Sequence, residues 1–235
     1  MTKNNKLPDN KNEVNAFLER VARTPPKIRS NKRGRLIFAM DATASRQPAW
    51  DRAAAIQGQM FHETAQLGGL DIQLAFYRGF GEFKVSKWTS DETVMHRWMS
   101  SVYCHAGETQ IEKVLSHAAN ETRRAPVNAL VFVGDSCEED VDQIGKRAGE
   151  LGVLGVPTFM FLEGNDAVAQ YAFNEVARLS GGACCYFDAS SAQSLRDLLA
   201  AVAVYAAGGR LALQNMAKTK GGEALRIAHM IGVKE

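Results

Sequence analysis

Apolar residues between positions 33 and 207 fall into two alternating patterns. Short continuous runs such as "RLIFAM" and "NALVFVG" predict strands that are buried on both faces. The longer stretches between them repeat apolar residues at helical spacing. Because continuous apolar strands that alternate with helices form mostly parallel sheets, the pattern predicts a three-layer, doubly wound α/β/α domain of Rossmann-like type.

The predicted elements follow one another in regular order. Strands are predicted at 35–40, 68–79, 82–88, 128–135, 156–163 and 183–188. Helices are predicted at 47–68, 91–101, 109–123, 138–151, 166–182 and 190–207. The run "EFKVSKW" alternates like a half-exposed strand and follows the turn "GFG", so it predicts one antiparallel edge strand.

Two further segments flank this predicted domain. Residues 1–32 form a basic arm in which residues 12–23, "NEVNAFLERVAR", predict a short amphipathic helix. Residues 208–235 contain "KTKGGE" between two short apolar-faced segments and predict a C-terminal helical extension. The sequence therefore divides into the arm, a domain at 33–207 and the extension.

Charge is distributed unevenly along the chain. The net charge is +2, but residues 1–35 carry ten Lys or Arg against three acidic residues, a net +7, so the remainder carries −5. A basic arm of this kind could make weak contact with nucleic acid, anionic lipid or an acidic protein. A solvated tail explains the same composition, and both interpretations stay open.

Composition and cysteine usage predict a soluble cytoplasmic protein. Apolar residues make up 46% of the chain and charged residues 23%, which is ordinary for a globular protein. The longest apolar run, 198–207, is shorter than the roughly 18 residues that a membrane span needs. No secretory signal is visible at the start of the sequence. The four cysteines show no CxxC pair, so we expect reduced thiols and no zinc site.

Polar side chains follow the predicted strands at three places. Asp41, Thr43 and Ser45 come after the first strand, Thr109 opens a predicted helix, and Asp135 ends the strand "NALVFVGD". Ligands of open α/β sheets bind at the carboxyl ends of strands, and a hard cation such as Mg²⁺ takes oxygen ligands. These residues could instead only cap the helices that follow, as Asp, Thr and Ser often do.

The same residues resemble a known motif set. D-x-T-x-S at Asp41, G-x-T-x-I-x-x-x-L starting at Gly107, and Asp135 at the end of a later strand are similar to the metal ion-dependent adhesion site (MIDAS) of von Willebrand factor type A (vWA) domains. The resemblance covers about residues 33–207. It implies that Asp41, Thr43, Ser45, Thr109 and Asp135 hold Mg²⁺, or Mn²⁺ or Ca²⁺, and that an Asp or Glu of a partner protein fills an open coordination position.

The sequence departs from that family pattern at three positions. Thr43 replaces the more usual serine and keeps the hydroxyl, and "GDS" stands where "TDG" is common. Glu108 stands where the family often has glycine, so its carboxylate could occupy the open position or point to solvent.

Two functions are consistent with this site. The first is an intracellular, metal-dependent protein-binding module without enzymatic activity. The second is a hydrolase that uses the same ion to activate water. The sequence offers no convincing nucleophile, and Glu108 is the one candidate general base near the site.

Overall fold

The computed structural model describes residues 33–187 and 192–219, and a six-stranded sheet forms the centre of this part. The strands are β1 (Gly34–Asp41), β2 (Leu70–Arg78), β3 (Glu82–Val85), β4 (Ala129–Gly134), β5 (Thr158–Glu163) and β6 (Ala183–Phe187). Their order is β3-β2-β1-β4-β5-β6. All neighbouring strands pair in parallel except β2 and β3, so the predicted antiparallel edge strand is confirmed.

Helices cover both faces of the sheet. They are α1 (Gln47–Ile56), α2 (Gly58–Thr64), α3 (Glu92–Ser100), α4 (Ile111–Arg124), α5 (Val141–Leu154), α6 (Ala167–Ser180) and α7 (Ala192–Thr219). Helices α1, α2, α3 and α7 contribute to one hydrophobic core, and α4, α5 and α6 to the other. The predicted three-layer, doubly wound α/β/α architecture is therefore confirmed.

The central strand β1 shows why its apolar run is continuous. Leu36, Phe38 and Met40 belong to one core and Ile37 and Ala39 to the other, and all five side chains are fully buried. Because successive side chains of a strand point to opposite faces, a strand between two helical layers needs apolar residues at every position. Asp41, at the end of this run, is buried as well.

Several predicted helix boundaries were wrong for local reasons. The helix predicted at 47–68 is divided at Gln57 into α1 and α2, and a short 3-10 turn, Ala65–Leu67, follows. The helix predicted from 138 begins at Val141 because the Asp140 carboxylate caps it, accepting from the N–H groups of Asp142 and Gln143.

The predicted end of the domain at residue 207 lies next to a break in the last helix. Helix α7 spans Ala192–Thr219, but Gly209 has a non-helical conformation (φ 68°), so two helical segments meet there at a kink. The predicted arm at 1–32, with its amphipathic helix, and the end of the predicted extension at 220–235 lie outside the described residues. The domain boundaries therefore remain predictions. Within the described residues, no helix is both long enough and apolar enough to cross a membrane.

The strand order places a crevice between the carboxyl ends of β1 and β4. From β1 the chain extends the sheet through β2 and β3 on one side, and from β4 through β5 and β6 on the other. Doubly wound sheets bind ligands at such a switch point. Asp41 ends β1, and Asp135 directly follows β4, so both lie at this crevice.

Candidate metal centre

Asp41 is a buried carboxylate, and one of its oxygens has no hydrogen-bond partner among the described residues. Its Oδ1 accepts a hydrogen bond from the Thr43 N–H over 2.7 Å. Its Oδ2 is buried and has no hydrogen-bond partner within the described part of the chain. Burial raises the pKa of Asp41 to about 6; the charge of Asp135 acts in the same direction, and the hydrogen bond from Thr43 opposes it.

Ser45 connects the turn after β1 to the end of β4. The turn Ala44–Arg46 is a short 3-10 helix that leaves Ser45 exposed. The Ser45 hydroxyl donates to Asp135 Oδ2 over 3.1 Å. The side chain of Asp135 is 25% exposed, so this carboxylate lies at the mouth of the crevice. The fold thus brings together the first and third predicted parts of the site.

Thr109 contacts the loop that follows Asp135 through Glu138. The buried Thr109 hydroxyl accepts from the Glu138 N–H over 3.0 Å, and the Thr109 N–H donates to Glu138 Oε2 over 3.2 Å. Gly107 allows this loop to lie against the β2–β3 turn, since a Cβ at residue 107 would be 2.1 Å from the Gly79 carbonyl oxygen. The segment that carries Thr109 is therefore fixed on both sides.

Helix capping does not account for the three hydroxyl side chains. Helix α4 begins at Ile111, and its first N–H groups, those of Ile111 and Glu112, donate to the Glu139 carboxylate. Thr109 therefore does not cap it. Neither Thr43 nor Ser45 makes a side-chain cap in the 3-10 turn or in α1.

Arg46 places a buried positive charge beside the site. Its side chain is only 3% exposed, and its NH1 lies 3.8 Å from Asp135 Oδ2. The same nitrogen contacts Glu163 Oε2 at the end of β5. Arg52 reaches the other oxygen of Glu163, with 3.0 Å between NH2 and Oε1. Two arginines and two carboxylates thus alternate along the crevice.

The donor set suits a hard divalent cation. Within the described residues, no three His, Cys, Asp or Glu side chains converge as a metal cluster, so a site built on such ligands is not formed there. The crevice instead offers two carboxylates, Asp41 and Asp135, and the hydroxyl of Ser45. A buried carboxylate oxygen without a partner is costly unless a cation or a donor meets it. Oxygen-only ligand sets of this kind are typical of Mg²⁺, Mn²⁺ and Ca²⁺ sites.

Tyr77 forms the floor of the crevice. It pairs with Asp41 across β1 and β2, and its carbonyl oxygen accepts from the Ala42 N–H over 3.0 Å. Its hydroxyl is buried and lies beside the Asp41 carboxylate, although no hydrogen bond of ordinary length and angle joins it to another described residue. Burial, followed by the nearby charge of Asp41, raises the pKa of Tyr77 well above its usual range. The hydroxyl therefore stays protonated, as a neutral neighbour of Asp41.

Two exposed aromatic side chains flank this edge of the sheet, and we refer to Phe80 and Tyr103 as the aromatic rim. Phe80 is 83% exposed in the β2–β3 turn, and Tyr103 is 69% exposed in the loop after α3. Arg78 fixes the Tyr103 carbonyl with a 2.6 Å hydrogen bond from its NH1. Glu108 is exposed beside the same turn, and its N–H donates to the Gly79 carbonyl. The backbone of Tyr103 is thus held in place, while both rim side chains face solvent.

Sequence reasoning missed Arg46, Glu163 and Glu139. An arginine within a polar run is normally solvated, so nothing nearby in sequence indicated that Arg46 is buried. Glu163 ends the buried strand "TFMFLE", and an acidic residue in that position was a signal equivalent to the one that identified Asp135. Glu139 caps α4 from a loop 27–28 residues away, which no local capping rule detects.

Comparison with known proteins identifies the fold. No model of a protein family matches the sequence, and no curated protein matches it either. The fold of this chain does match those of solved structures. The SpRpn10 VWA domain is 11% identical with a TM-score of 0.56, and the match covers 76% of this chain and 98% of that one. The vWF domain of the type V pili tip protein Mfa5 from Porphyromonas gingivalis is 9% identical with a TM-score of 0.56, covering 75% and 97%.

A third similar structure contains an occupied metal site. Proximal thread matrix protein 1 from the mussel byssus, with a zinc-occupied MIDAS motif, is 12% identical with a TM-score of 0.55. The match covers 73% of this chain and 46% of that one. At these identities the likeness concerns the fold alone. The chain therefore has the vWA fold that the sequence predicted, and the identity of its metal ligands stays a prediction.

Proposed function

We propose that this chain is a divalent-cation-dependent protein-binding module. Asp41, Thr43, Ser45, Thr109 and Asp135 hold the cation, either directly or through water. Mg²⁺ is the preferred occupant, with Mn²⁺ and Ca²⁺ as alternatives. When bound, the cation supplies an electrophilic position that an Asp or Glu of a partner protein can fill.

The observation that carries this proposal is the environment of Asp41 Oδ2. The fold buries this oxygen without a hydrogen-bond partner among the described residues and places a second carboxylate, Asp135, close enough to raise the pKa of Asp41. The charge of Asp135 raises the pKa of Asp41 more than the charge of Arg46 lowers it, so a divalent cation that joins the two carboxylates would stabilise this arrangement. Two carboxylates formally balance a divalent charge, and neutral hydroxyls in the remaining positions add no negative charge that would repel a carboxylate from a partner.

The surface around the crevice also supports a protein ligand. The aromatic rim presents two large side chains on fixed backbone, and exposed aromatic residues are enriched in protein interfaces. A partner segment with an acidic residue next to apolar residues would use both the cation and the rim. The proposal includes an intracellular setting. It is supported by the four cysteines, which all lie within the described residues and form no disulfide there.

Cation binding provides the first test. Mn²⁺ and Mg²⁺ are titrated calorimetrically into wild-type protein and into Asp41→Asn, with folding checked by circular dichroism. We expect wild type to bind and Asp41→Asn to lose detectable binding. Asp71→Asn is the matched control. Asp71 lies at the amino end of β2, away from the carboxyl ends of the strands where the site is, and it pairs with Arg33. Equal affinity in wild type and Asp41→Asn would refute the proposal.

Partner binding provides the second test. Proteins retained by the wild type in Mg²⁺, but not in EDTA and not by Asp41→Asn, are candidate partners. Replacing acidic residues of a candidate one at a time should abolish retention at a single position. Turnover of a phosphate or acyl ester that EDTA and Asp41→Asn both abolish would favour the hydrolase alternative instead.

A further inference from the structure

Arg46 lies beside a carboxylate that the proposed cation would also use. Arg46 NH1 lies 3.8 Å from Asp135 Oδ2, and that oxygen already accepts the hydrogen bond from Ser45. Asp135 is also one of the two charged groups of the proposed cation site. A guanidinium and a divalent cation that share one carboxylate repel each other, and they do so more strongly where water is excluded. The side chain of Arg46 is almost fully buried.

Glu163 holds Arg46 on its other side. Glu163 ends β5, adjacent to β4, and the neighbouring pair Gly134 and Leu162 brings the ends of these strands together. Arg46 NH1 contacts Glu163 Oε2, while Arg52 occupies Oε1. The guanidinium thus lies between two carboxylates and is closer to Glu163 than to Asp135. Removing the negative charge of Glu163 would therefore move the guanidinium toward Asp135.

The remaining N–H donors of Arg46 do not fix the position of its guanidinium. Its Nε and NH2 are buried and have no hydrogen-bond partner within the described residues. A buried guanidinium normally satisfies several of its five N–H donors. Arg46 is held chiefly by its two carboxylate neighbours, so its position depends on their charges.

We propose that Arg46 is an internal competitor of the divalent cation and sets the cation affinity of this site. Glu163 draws the guanidinium away from Asp135, which leaves that carboxylate available for cation binding. The inference rests on the proposed function, because it concerns the same cation site. It adds a residue pair, Arg46 and Glu163, outside the predicted ligands.

The test compares Mn²⁺ affinity between charge variants by calorimetry at fixed ionic strength. Arg46→Gln removes the competing charge, so we expect Mn²⁺ to bind about tenfold more tightly than in wild type. Glu163→Gln releases Arg46 toward Asp135, so we expect binding about tenfold weaker. Arg178→Gln removes the same charge from the last turn of α6, where Arg178 pairs with Glu175, and should leave the affinity unchanged.

A double variant keeps the test valid if Arg46→Gln alone does not fold. Arg46→Gln/Glu163→Gln replaces both charges with neutral side chains of similar size, and it differs from Glu163→Gln only at residue 46. We expect the double variant to bind Mn²⁺ more tightly than Glu163→Gln. Equal or weaker binding in the double variant, or in folded Arg46→Gln compared with wild type, would overturn the inference.

The outcomes separate this inference from the proposed function. If Asp41→Asn abolishes Mn²⁺ binding but the Arg46 variants bind like their parents, only the inference fails. If wild type does not bind and Arg46→Gln does, the inference is supported. If neither wild type nor any Arg46 variant binds Mn²⁺, both fail.

Discussion

Ser45 Oγ donates a hydrogen bond to Asp135 Oδ2 over 3.1 Å and thereby joins the turn after β1 to the end of β4. The two residues are 90 positions apart in sequence. They meet because β1 and β4 are parallel neighbours whose carboxyl ends reach the same edge. The same Asp135 oxygen lies 3.8 Å from Arg46 NH1. The charges of Asp135 and Arg46 both act on the pKa of Asp41, so these side chains form one interacting group at the crevice.

The first prediction concerns the pH dependence of folding. Burial raises the pKa of Asp41 to about 6 in the folded protein from an ordinary value of 3.8. The unfolded chain therefore loses this proton first as pH rises from about 4 to 6, and folding stability falls across that window. In EDTA at pH 7, Asp41→Asn should be about 2 kcal/mol more stable than wild type to urea unfolding.

The difference in stability between wild type and Asp41→Asn should depend on pH and on added metal. Near pH 4 the two proteins should have similar stability, because Asp41 is then protonated in the folded state. Added Mg²⁺ should stabilise wild type and not the variant, since ligands that bind only the native state raise its stability. A stability difference that stays constant from pH 4 to 7 would contradict the prediction.

The second prediction concerns the loop that carries Thr109. A Cβ at residue 107 would lie 2.1 Å from the Gly79 carbonyl oxygen, which is backbone and cannot move aside easily. Gly107→Ala should therefore displace this loop and lower Mn²⁺ affinity at least about tenfold. The matched control is Gly149→Ala in α5, where a Cβ meets no atom within 4 Å.

The control variant Gly149→Ala should be more stable than wild type. Alanine is a better helix former than glycine, so Gly149→Ala should raise the free energy of unfolding by about 0.5–1 kcal/mol and leave Mn²⁺ affinity unchanged. Wild-type affinity in Gly107→Ala would show that the close contact between residues 107 and 79 does not position the site.

The sequence was sufficient for the fold because the fold depends on local patterns. The continuous run from Leu36 to Met40 and the alternating run at residues 82–88 distinguish a buried strand from an edge strand without any tertiary information. Asp41 and Asp135 were found for a similar reason, since both end such runs. Their meeting follows from the parallel arrangement of β1 and β4 alone.

The contacts that Arg46, Glu163 and Glu139 make could not be predicted from local sequence patterns. Whether Arg46 is solvated or buried depends on Glu163, which lies on another strand, and on the shape of the crevice between them. Glu139 caps α4 from a distant loop in place of the local Thr109. Side-chain interactions between elements far apart in sequence leave no periodic pattern, so only the structure shows them.

The third prediction concerns that distant cap. The Glu139 carboxylate accepts from the N–H groups of Ile111 and Glu112, at the positive end of the α4 dipole. Glu139→Ala should lower the free energy of unfolding by about 1–2 kcal/mol in urea titrations. Glu150→Ala, which removes only surface ion pairs with Arg123 and Arg147, should change it by less than about 0.5 kcal/mol. A similar loss in both variants would argue against capping by Glu139.

The last prediction separates the two roles of Thr109. Its hydroxyl accepts from the Glu138 N–H and, under the proposed function, also supplies an oxygen to the cation. Thr109→Val keeps the shape and removes the oxygen, so it should lower stability by about 1 kcal/mol and Mn²⁺ affinity at least about tenfold. Thr109→Ser retains the oxygen and should bind Mn²⁺ within about threefold of wild type.

Glu138→Gln provides the control for the structural role alone, because it weakens the contact between Glu138 Oε2 and the Thr109 N–H but leaves the Thr109 hydroxyl in place. We expect it to retain Mn²⁺ binding. If Thr109→Val loses stability but binds Mn²⁺ like wild type, Thr109 is a structural residue and not a ligand. If Thr109→Val and Glu138→Gln lose affinity equally, the loop conformation and not the hydroxyl controls the site.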